Sequence, residues 1–177
     1  MANIGLRKPF VGKKTDTGYD THATLGKAVS IEVTPNYATG ALYGDDTKCE
    51  EDREFIDATV TLGTTTVPVK FNESMFGHAL NVDETTYNAY DEVPYVGLGF
   101  IGVEKIDGVK KYVATFLPRV KFAEPGKSYE TKGDSITYNT PSLEGSALAL
   151  DNGDWKFDKI CDTEADAITW IEGKFTA

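Results

Sequence analysis

A tight turn at Asp107-Gly108 constrains the fold of this chain more than any other feature of its sequence. Asp and Gly accept the positive φ values that a two-residue β-hairpin turn requires. The surrounding stretch, residues 94–125, is rich in β-branched and aromatic residues. The sequence therefore predicts a hairpin with four facing pairs: Ile106 with Val109, Glu104 with Lys111, Val103 with Tyr112, and Ile101 with Ala114.

Both faces of this predicted hairpin are apolar. One face carries Ile101, Val103, Tyr112, Ala114 and Phe116, and the other carries Phe100, Val113, Thr115 and Leu117. A hairpin with one face in water needs only one apolar face. We therefore expect both faces to be covered, either by the rest of the chain or by neighbouring molecules.

Length and composition indicate an ordinary globular domain. The chain has 177 residues, of which 40% are hydrophobic, and this is enough for a core within a single domain spanning 1–177. Cys49 and Cys161 are too few for a disulfide scaffold, so we expect free thiols in a reducing compartment. No apolar run is long enough to span a bilayer, and Met1–Phe10 lacks the apolar core of a signal peptide.

The net charge of −10 is unevenly distributed. Residues 93–133 carry seven basic and four acidic groups, whereas 41–57 carry two basic and seven acidic groups. An acidic protein is a poor candidate for wrapping nucleic acid, because Lys and Arg make the phosphate contacts. Segregated charge is compatible with docking onto further copies of the same chain. It is equally compatible with a surface that only maintains solubility.

The remaining segments predict a mainly β protein. Residues 1–24 resemble an N-terminal arm, a strand over 27–33 ends at Pro35-Asn36, and 41–54 form an extended acidic loop. Further strands are predicted at 55–62, 134–140, 142–150 and 155–160, with Ile56, Ala58, Val60 and Leu62 facing the core.

The sequence also predicts two helices. A short helix is predicted over 72–80, capped by Asn72, with Met75 and Phe76 pointing inward and Gly77 limiting its length. A second helix over 162–172 is capped by Asp162 or Thr163 and ends at Gly173. The predicted fold is a two-sheet β-sandwich or partly closed barrel with these two helices.

No pattern in the sequence predicts catalysis, and we expect no catalytic, cofactor-binding or metal-binding residues. Gly97, Gly99 and Gly102 match a dinucleotide-binding motif in spelling, but that motif must open a helix. Here it lies within a predicted strand. The glycines therefore either remove side chains from one face of the sheet, so that another element can pack closely against it, or mark a bulge. His22 and His78 lack the spacing of zinc ligands.

Ordered segments along almost the whole chain resemble the phi13-type major tail protein family of long-tailed phages. The segments are 25–46 (LGKAVSIEVTPNYATGALYGDD), 58–63 (ATVTLG), 75–80 (MFGHAL), 91–122 (DEVPYVGLGFIGVEKIDGVKKYVATFLPRVKF), 128–145 (SYETKGDSITYNTPSLEG) and 149–171 (ALDNGDWKFDKICDTEADAITWI). The resemblance implies a non-enzymatic tail-tube subunit of the virion, made in the host cytoplasm. It also implies a homo-oligomer of stacked hexameric rings that surrounds passing DNA without specific binding. Its other implied partners are the tail terminator, tape measure and distal tail proteins, with no membrane partner.

Two surfaces are candidates for assembly under this interpretation. The acidic loop offers an assembly or lumen-facing surface: Asp45, Asp46, Glu50, Glu51 and Glu54. The central hairpin offers a surface that joins the sheets of neighbouring subunits: Phe100, Ile101, Val103, Tyr112, Val113 and Phe116. A solvated loop without a special role is the alternative for the acidic residues.

A monomeric β-sandwich binding module remains a second possible class of function. Such a module, at a tail tip for example, would recognise a carbohydrate or a protein through exposed aromatic residues. The candidates for that role are Tyr19, Tyr37, Tyr43, Tyr87 and Tyr90.

Overall fold

An eight-stranded antiparallel sheet forms the framework of residues 2–177, the part of the chain that the computed structural model describes. The strands are β1 (Ala2–Lys13), β2 (Ala23–Thr24), β3 (Ala28–Gly44), β4 (Thr47–Thr64), β5 (Ala79–Asn81), β6 (Glu84–Thr86), β7 (Val96–Ile106), β8 (Val109–Phe122), β9 (Ser142–Ala147) and β10 (Phe157–Cys161). The helices are α1 (Phe71–Ser74) and α2 (Glu164–Thr176). Strands β5 and β6 pair separately. The predicted mainly β fold with a short internal helix and a C-terminal helix is confirmed.

The large sheet bends into two facing layers. Its strand order is β2-β1-β7-β8-β9-β4-β3, and β10 pairs with β8. Strands β1 and β3 are five places apart, which in a flat sheet would separate them by about 24 Å. They nevertheless contact each other. The architecture is therefore that of a β-sandwich made from one continuous sheet, and within residues 2–177 the sheet does not close into a barrel.

Two hydrophobic cores lie on opposite sides of the β7–β8 hairpin. The first lies between the two layers and includes Val11, Val60, Leu62, Met75, Phe76, Leu98, Leu117, Val120, Phe122 and Leu143. The second lies between the hairpin and α2 and includes Phe10, Ile101, Ala114, Phe116, Ala167, Ile171 and Phe175. The hairpin is thus covered on both faces over much of its length, as its sequence predicts.

The register of the β7–β8 hairpin is the one that its turn predicts. All four predicted cross-strand pairs are present, including Glu104 opposite Lys111. Asp107 and Gly108 adopt φ values of 49° and 80°. These values are those of a type I′ turn, whose twist matches that of the two strands.

The glycines of β7 make room for α2. A Cβ atom on Gly99 would lie 2.5 Å from Cγ2 of Ile171, and one on Gly97 would lie 3.0 Å from Cε1 of Phe175 and 2.6 Å from Cε1 of Tyr19, which packs beside α2. A shift in register between Val96 and Leu98 also marks a bulge at this point. Close packing is therefore confirmed at Gly97 and Gly99 and a bulge is confirmed at Gly97, whereas a Cβ on Gly102 would have no neighbour closer than 3.8 Å.

Helix α2 begins as predicted but extends further. The hydroxyl of Thr163 accepts a hydrogen bond from the backbone N–H of Asp166 at 3.2 Å, which identifies Thr163 as the N-cap. The ion pair between Arg7 and Glu164, at 2.6 Å, holds the helix start against β1. The prediction that Gly173 ends the helix is wrong, because Phe175 continues it into the second core.

The predicted acidic loop at 41–54 is the outer part of a long β-hairpin, so that prediction is wrong. Strand β3 continues through Pro35 to Gly44, and β4 begins at Thr47. Strand β3 lies at the end of the sheet. A proline, which lacks the N–H group, is tolerated in such an edge strand. The apparent stop at Pro35-Asn36 therefore does not interrupt the pairing with β4.

Three other local predictions also need correction. The predicted arm at 1–24 contains β1, which pairs along β7 inside the sheet, while Met1 lies outside the described residues. Residues 134–140 form no strand. Helix α1 spans only Phe71–Ser74, and the Asn72 side chain donates to Thr85 instead of capping the helix. Met75 and Phe76 are nevertheless buried as predicted.

A bulge at Ile56 reverses part of the predicted alternation in β4. Ala58, Val60 and Leu62 are buried as expected, whereas Ile56 is 58% exposed. Asp57 pairs with Asn36 and Phe55 pairs with Tyr37, which leaves Ile56 without a partner. The side chain of Phe55 consequently faces the core and stacks on Trp155.

Among residues 2–177, neither helix has the length and apolar character needed to cross a membrane.

Candidate assembly surfaces

The outer part of the β3–β4 hairpin, residues 37–54, is called the ribbon below. Every residue of the ribbon is exposed. A two-stranded hairpin without further packing is only marginally stable in water. The ribbon is therefore a surface that a partner could stabilise by covering it.

The two faces of the ribbon differ in charge. Glu51 bonds Lys48 at 2.7 Å and lies 3.5 Å from Arg53, so the charges on this face compensate one another. The hydrogen bond from Lys48 lowers the pKa of Glu51. Glu50, Asp52 and Glu54 face Leu42, Gly40 and Ala38 on the other side. Within residues 2–177 these three carboxylates make no ion pair.

The predicted acidic residues are therefore divided between three positions on the ribbon. Glu51 lies on the compensated face, and Glu50 and Glu54 lie on the uncompensated face. Asp45 and Asp46 form the turn at the tip, with φ values of 50° and 60°. Sequence reasoning missed Asp52, because the pairing with β3 was needed to place it beside Glu50 and Glu54.

The long strand β3 leaves one edge unpaired. Among residues 2–177 it pairs with β4 alone, and it ends the strand order of the large sheet. A free edge presents backbone N–H and C=O groups that can pair with another chain. This edge is therefore a second candidate surface for contacts between molecules.

The outer face of the β3–β4–β9 layer is polar and acidic. Thr61 of β4 has Glu32 of β3 on one side and Glu144 of β9 on the other. Asp57 lies on the same face and accepts a hydrogen bond from Asn36 at 2.8 Å. Hydroxyl side chains occupy much of the rest of this face: Ser30, Thr34, Thr59, Ser142 and Ser146.

The structure places the sheet-joining candidates mostly inside the molecule. Ile101, Val103 and Phe116 are at most 3% exposed, and Tyr112 packs against the second core. Strand β1 occupies the outer edge of β7, and β10 and β9 occupy that of β8. Because neither strand has a long free edge, edge-to-edge joining through this hairpin is not supported.

Two of those candidates, Phe100 and Val113, lie instead on an open groove of about 360 Å³. The groove crosses the β7–β8 hairpin on the face opposite α2. Its apolar lining comes from Leu6, Val29, Ile31, Phe100 and Val113. The second face of the hairpin is therefore only partly covered by the chain itself.

His78 is the centre of a cluster of titratable side chains. Its Nδ1 lies 2.7 Å from a carboxylate oxygen of Asp91, and its Nε2 lies 3.1 Å from one of Glu124. The ring of Tyr87 packs beside it at 4.5 Å. The hydrogen bond to Asp91 raises the pKa of His78, and the Glu124 contact acts in the same direction. The protonated imidazole can donate to both carboxylates, so the cluster ties the segment after β8 to the segment after α1.

The tyrosines of the binding-module alternative lie on separate parts of the molecule. Tyr19 packs against the second core and donates to the Pro118 carbonyl at 2.6 Å, and its burial raises its pKa to about 12. Tyr37 and Tyr43 lie on the ribbon, and Tyr87 and Tyr90 lie between β6 and β7. The structure therefore does not place all five on one element.

No group of three or more His, Cys, Asp and Glu side chains within residues 2–177 could hold a metal ion. A comparison with protein-family models gives no match, and a search of curated proteins gives none either. Neither comparison assigns the chain to a family.

Proposed function

We propose that this protein is a structural virion protein, the major subunit of a phage tail tube. Copies of it assemble into hexameric rings, and the rings stack into a hollow tube through which DNA passes into the host. Tail terminator, tape measure and distal tail proteins are its further partners. The observation that carries this proposal is the ribbon, a long exposed hairpin that the isolated chain does not stabilise.

The free edge of β3 supports the same proposal. Natural sheets usually protect long edges by closure, by covering or by pairing. Assembly of neighbouring copies along this edge would remove it from solvent. Contact between two different surfaces of one chain produces a ring or a filament.

The acidic outer face of the β3–β4–β9 layer suits the wall of a channel for DNA. Glu32, Asp57 and Glu144 present negative charge without a lysine or arginine in the facing positions. Such a wall repels phosphates, whereas a basic wall would bind them. We expect tubes that carry Glu32→Lys, Asp57→Lys and Glu144→Lys to retain labelled DNA that wild-type tubes do not retain. Equal retention by both would remove this face as the lumen.

Negative-stain electron microscopy of the purified protein over a range of concentrations tests the proposal directly. Rings or tubes are expected, with matching large species in sedimentation velocity. A monomer at every concentration would contradict the proposal and favour a binding module.

Shortening the ribbon tests its part in assembly. Residues 39–53 are replaced by Asn-Gly, so that a two-residue turn joins Ala38 to Glu54, which face each other. Because the ribbon lies outside both cores, we expect the thermal midpoint to change by only a few degrees while tubes are lost. Tubes of normal length from this variant would show that the ribbon has no role in assembly.

Charge reversal on the ribbon tests whether its acidic residues take part in assembly or are only solvated surface. Asp45, Asp46, Glu50, Glu51 and Glu54 are all changed to Lys, and we expect blocked assembly or slowed DNA ejection. The control for altered net charge changes five exposed acidic residues outside the ribbon, the groove and segment 123–141 to Lys: Asp16, Asp20, Asp83, Glu84 and Glu172. Normal assembly and normal ejection in the fivefold variant would identify the ribbon acids as solvated surface.

A further inference from the structure

The groove on the β7–β8 hairpin is an apolar surface without a cover. It adjoins β3 at Val29, which is 55% exposed, and Phe100 and Ile31 at its floor also pack against the first core. The groove is thus an open end of the first core. No residue of segment 123–141 lines it.

Segment 123–141, which joins β8 to β9, has strand-like sequence but no strand. Side chains of an extended chain alternate in direction, which places Ile136 and Tyr138 on one side and Ser135, Thr137 and Asn139 on the other. In the structure Ile136 is 65% exposed, Tyr138 is 86% exposed and Tyr129 is 89% exposed. A connection of this length without secondary structure is uncommon in a compact domain, and such connections are usually either functional or disordered linkers.

Within the described residues, the hydrogen bonds that hold this segment to the rest of the chain lie near its two ends. Glu124 contacts His78, and Lys127 donates to the Tyr87 hydroxyl at 3.4 Å. At the other end, the Pro141 carbonyl accepts from the N–H of Thr64 at 3.1 Å. Between these anchors the backbone of residues 134–140 forms no ladder with any described strand.

We propose that residues 134–140 of one copy lie extended in the groove of a second copy, next to the free edge of its β3. Ile136 and Tyr138 then pack against Leu6, Val29 and Val113. This mode of recognition combines strand addition with pockets for alternate side chains. Because groove and segment are different surfaces, the contact is heterologous and can repeat from copy to copy. The inference rests on the proposed self-assembly and names the segments that meet.

Disulfide trapping between two different chains tests this contact. Both chains carry Cys49→Ser, one also carries Val29→Cys, and the other carries Ile136→Cys. On mixing and mild oxidation we expect a covalent dimer that contains one chain of each kind. Val82→Cys, at an 85% exposed position, replaces Ile136→Cys in the control. Absence of the dimer, or equal trapping by the control, would overturn the proposal.

A chain that carries both Val29→Cys and Ile136→Cys distinguishes a contact within one molecule. An internal disulfide in this chain, together with no dimer from the mixed single variants, would show that the segment covers its own groove. That result would also overturn the proposal.

Substitution of the exposed apolar residues provides a second measurement. We expect Ile136→Ser with Tyr138→Ser to raise the concentration needed for assembly at least tenfold without lowering thermal stability. The matched control is Val82→Ser with Tyr90→Ser, whose positions are 85% and 91% exposed. Normal tubes from both pairs would refute this contact but leave the tail-tube proposal intact. A wild-type protein that neither assembles nor cross-links would refute both.

Discussion

Gly99 lies where β7 packs against α2, and the side chain of Ile171 occupies the space beside it. We expect Gly99→Ala to destabilise the fold by about 1–3 kcal/mol, because its Cβ would lie 2.5 Å from Cγ2 of Ile171. Gly102→Ala on the same strand is the control, since its nearest neighbour would be the Val113 carbonyl oxygen at 3.8 Å. Urea unfolding gives both values. Equal stability of the two variants would mean that α2 does not pack closely against Gly99.

The contribution of His78 to stability depends on pH. Its pKa is raised above the usual 6.5, so the stabilisation is fully present below about pH 6.5 and is lost as the pH rises through the raised value. The hydrogen bond from His78 lowers the pKa of Asp91, so on the acid side the contribution is lost only as the pH falls through that lowered value.

Unfolding free energies of wild type and His78→Ala, measured from about pH 5 to about pH 9, check this expectation. The advantage of the wild type should shrink on the alkaline side. His22→Ala is the control, because His22 stacks on Phe175 and has no carboxylate partner among residues 2–177. A difference that does not vary with pH would argue against a charged His78.

At the scale of secondary structure, the bulge at Ile56 sets the direction of the ribbon. Because Ile56 has no partner in β3, its deletion keeps Phe55 opposite Tyr37 and leaves Phe55 packed against the first core. We expect a stability within about 1 kcal/mol of the wild type. Loss of the bulge also removes a local bend, so we expect assembly to weaken.

Deletion of Thr59 is the matched control for the bulge. It shifts the pairing of the buried part of β4 by one residue and turns its apolar side chains outward. We expect this variant not to fold, by circular dichroism. If both deletions unfold the protein, Ile56 is part of a regular ladder and the assignment of the bulge is wrong.

At the scale of the whole molecule, the two cysteines are in different environments. Cys49 is exposed on the ribbon, and Cys161 is buried in the second core, where burial raises the pKa of its thiol. Because the thiolate is the reactive form, we expect one fast-reacting thiol in the native protein and two after denaturation. Thiol titration with and without urea measures this. Two fast thiols in the native state would mean that the second core is open.

Acidic and apolar surfaces are separated on the molecule as a whole. The ribbon and the outer face of the β3–β4–β9 layer are acidic, while the apolar groove lies between the β7–β8 hairpin and the start of β3. This separation gives one chain two kinds of surface, which is the requirement for repeated contact between copies.

The local features of this chain were predictable from its sequence. The register about Asp107-Gly108, the inward direction of Met75 and Phe76, and the start of α2 at Thr163 are all confirmed. So are the free cysteines. Each of these depends on residues that are neighbours in sequence, through turn geometry, capping or alternation.

The tertiary structure decided the features that depend on distant partners. Residues 41–44 and 47–54 are strand because the two halves of the hairpin pair with each other, although their acidic composition favours a loop. Residues 134–140 alternate as a strand does, yet they pair with no described strand. The sequence by itself determined a β protein with a central hairpin apolar on both faces. Only the tertiary structure decided that α2 covers one face and leaves a groove on the other, because that cover comes from residues far away in the chain.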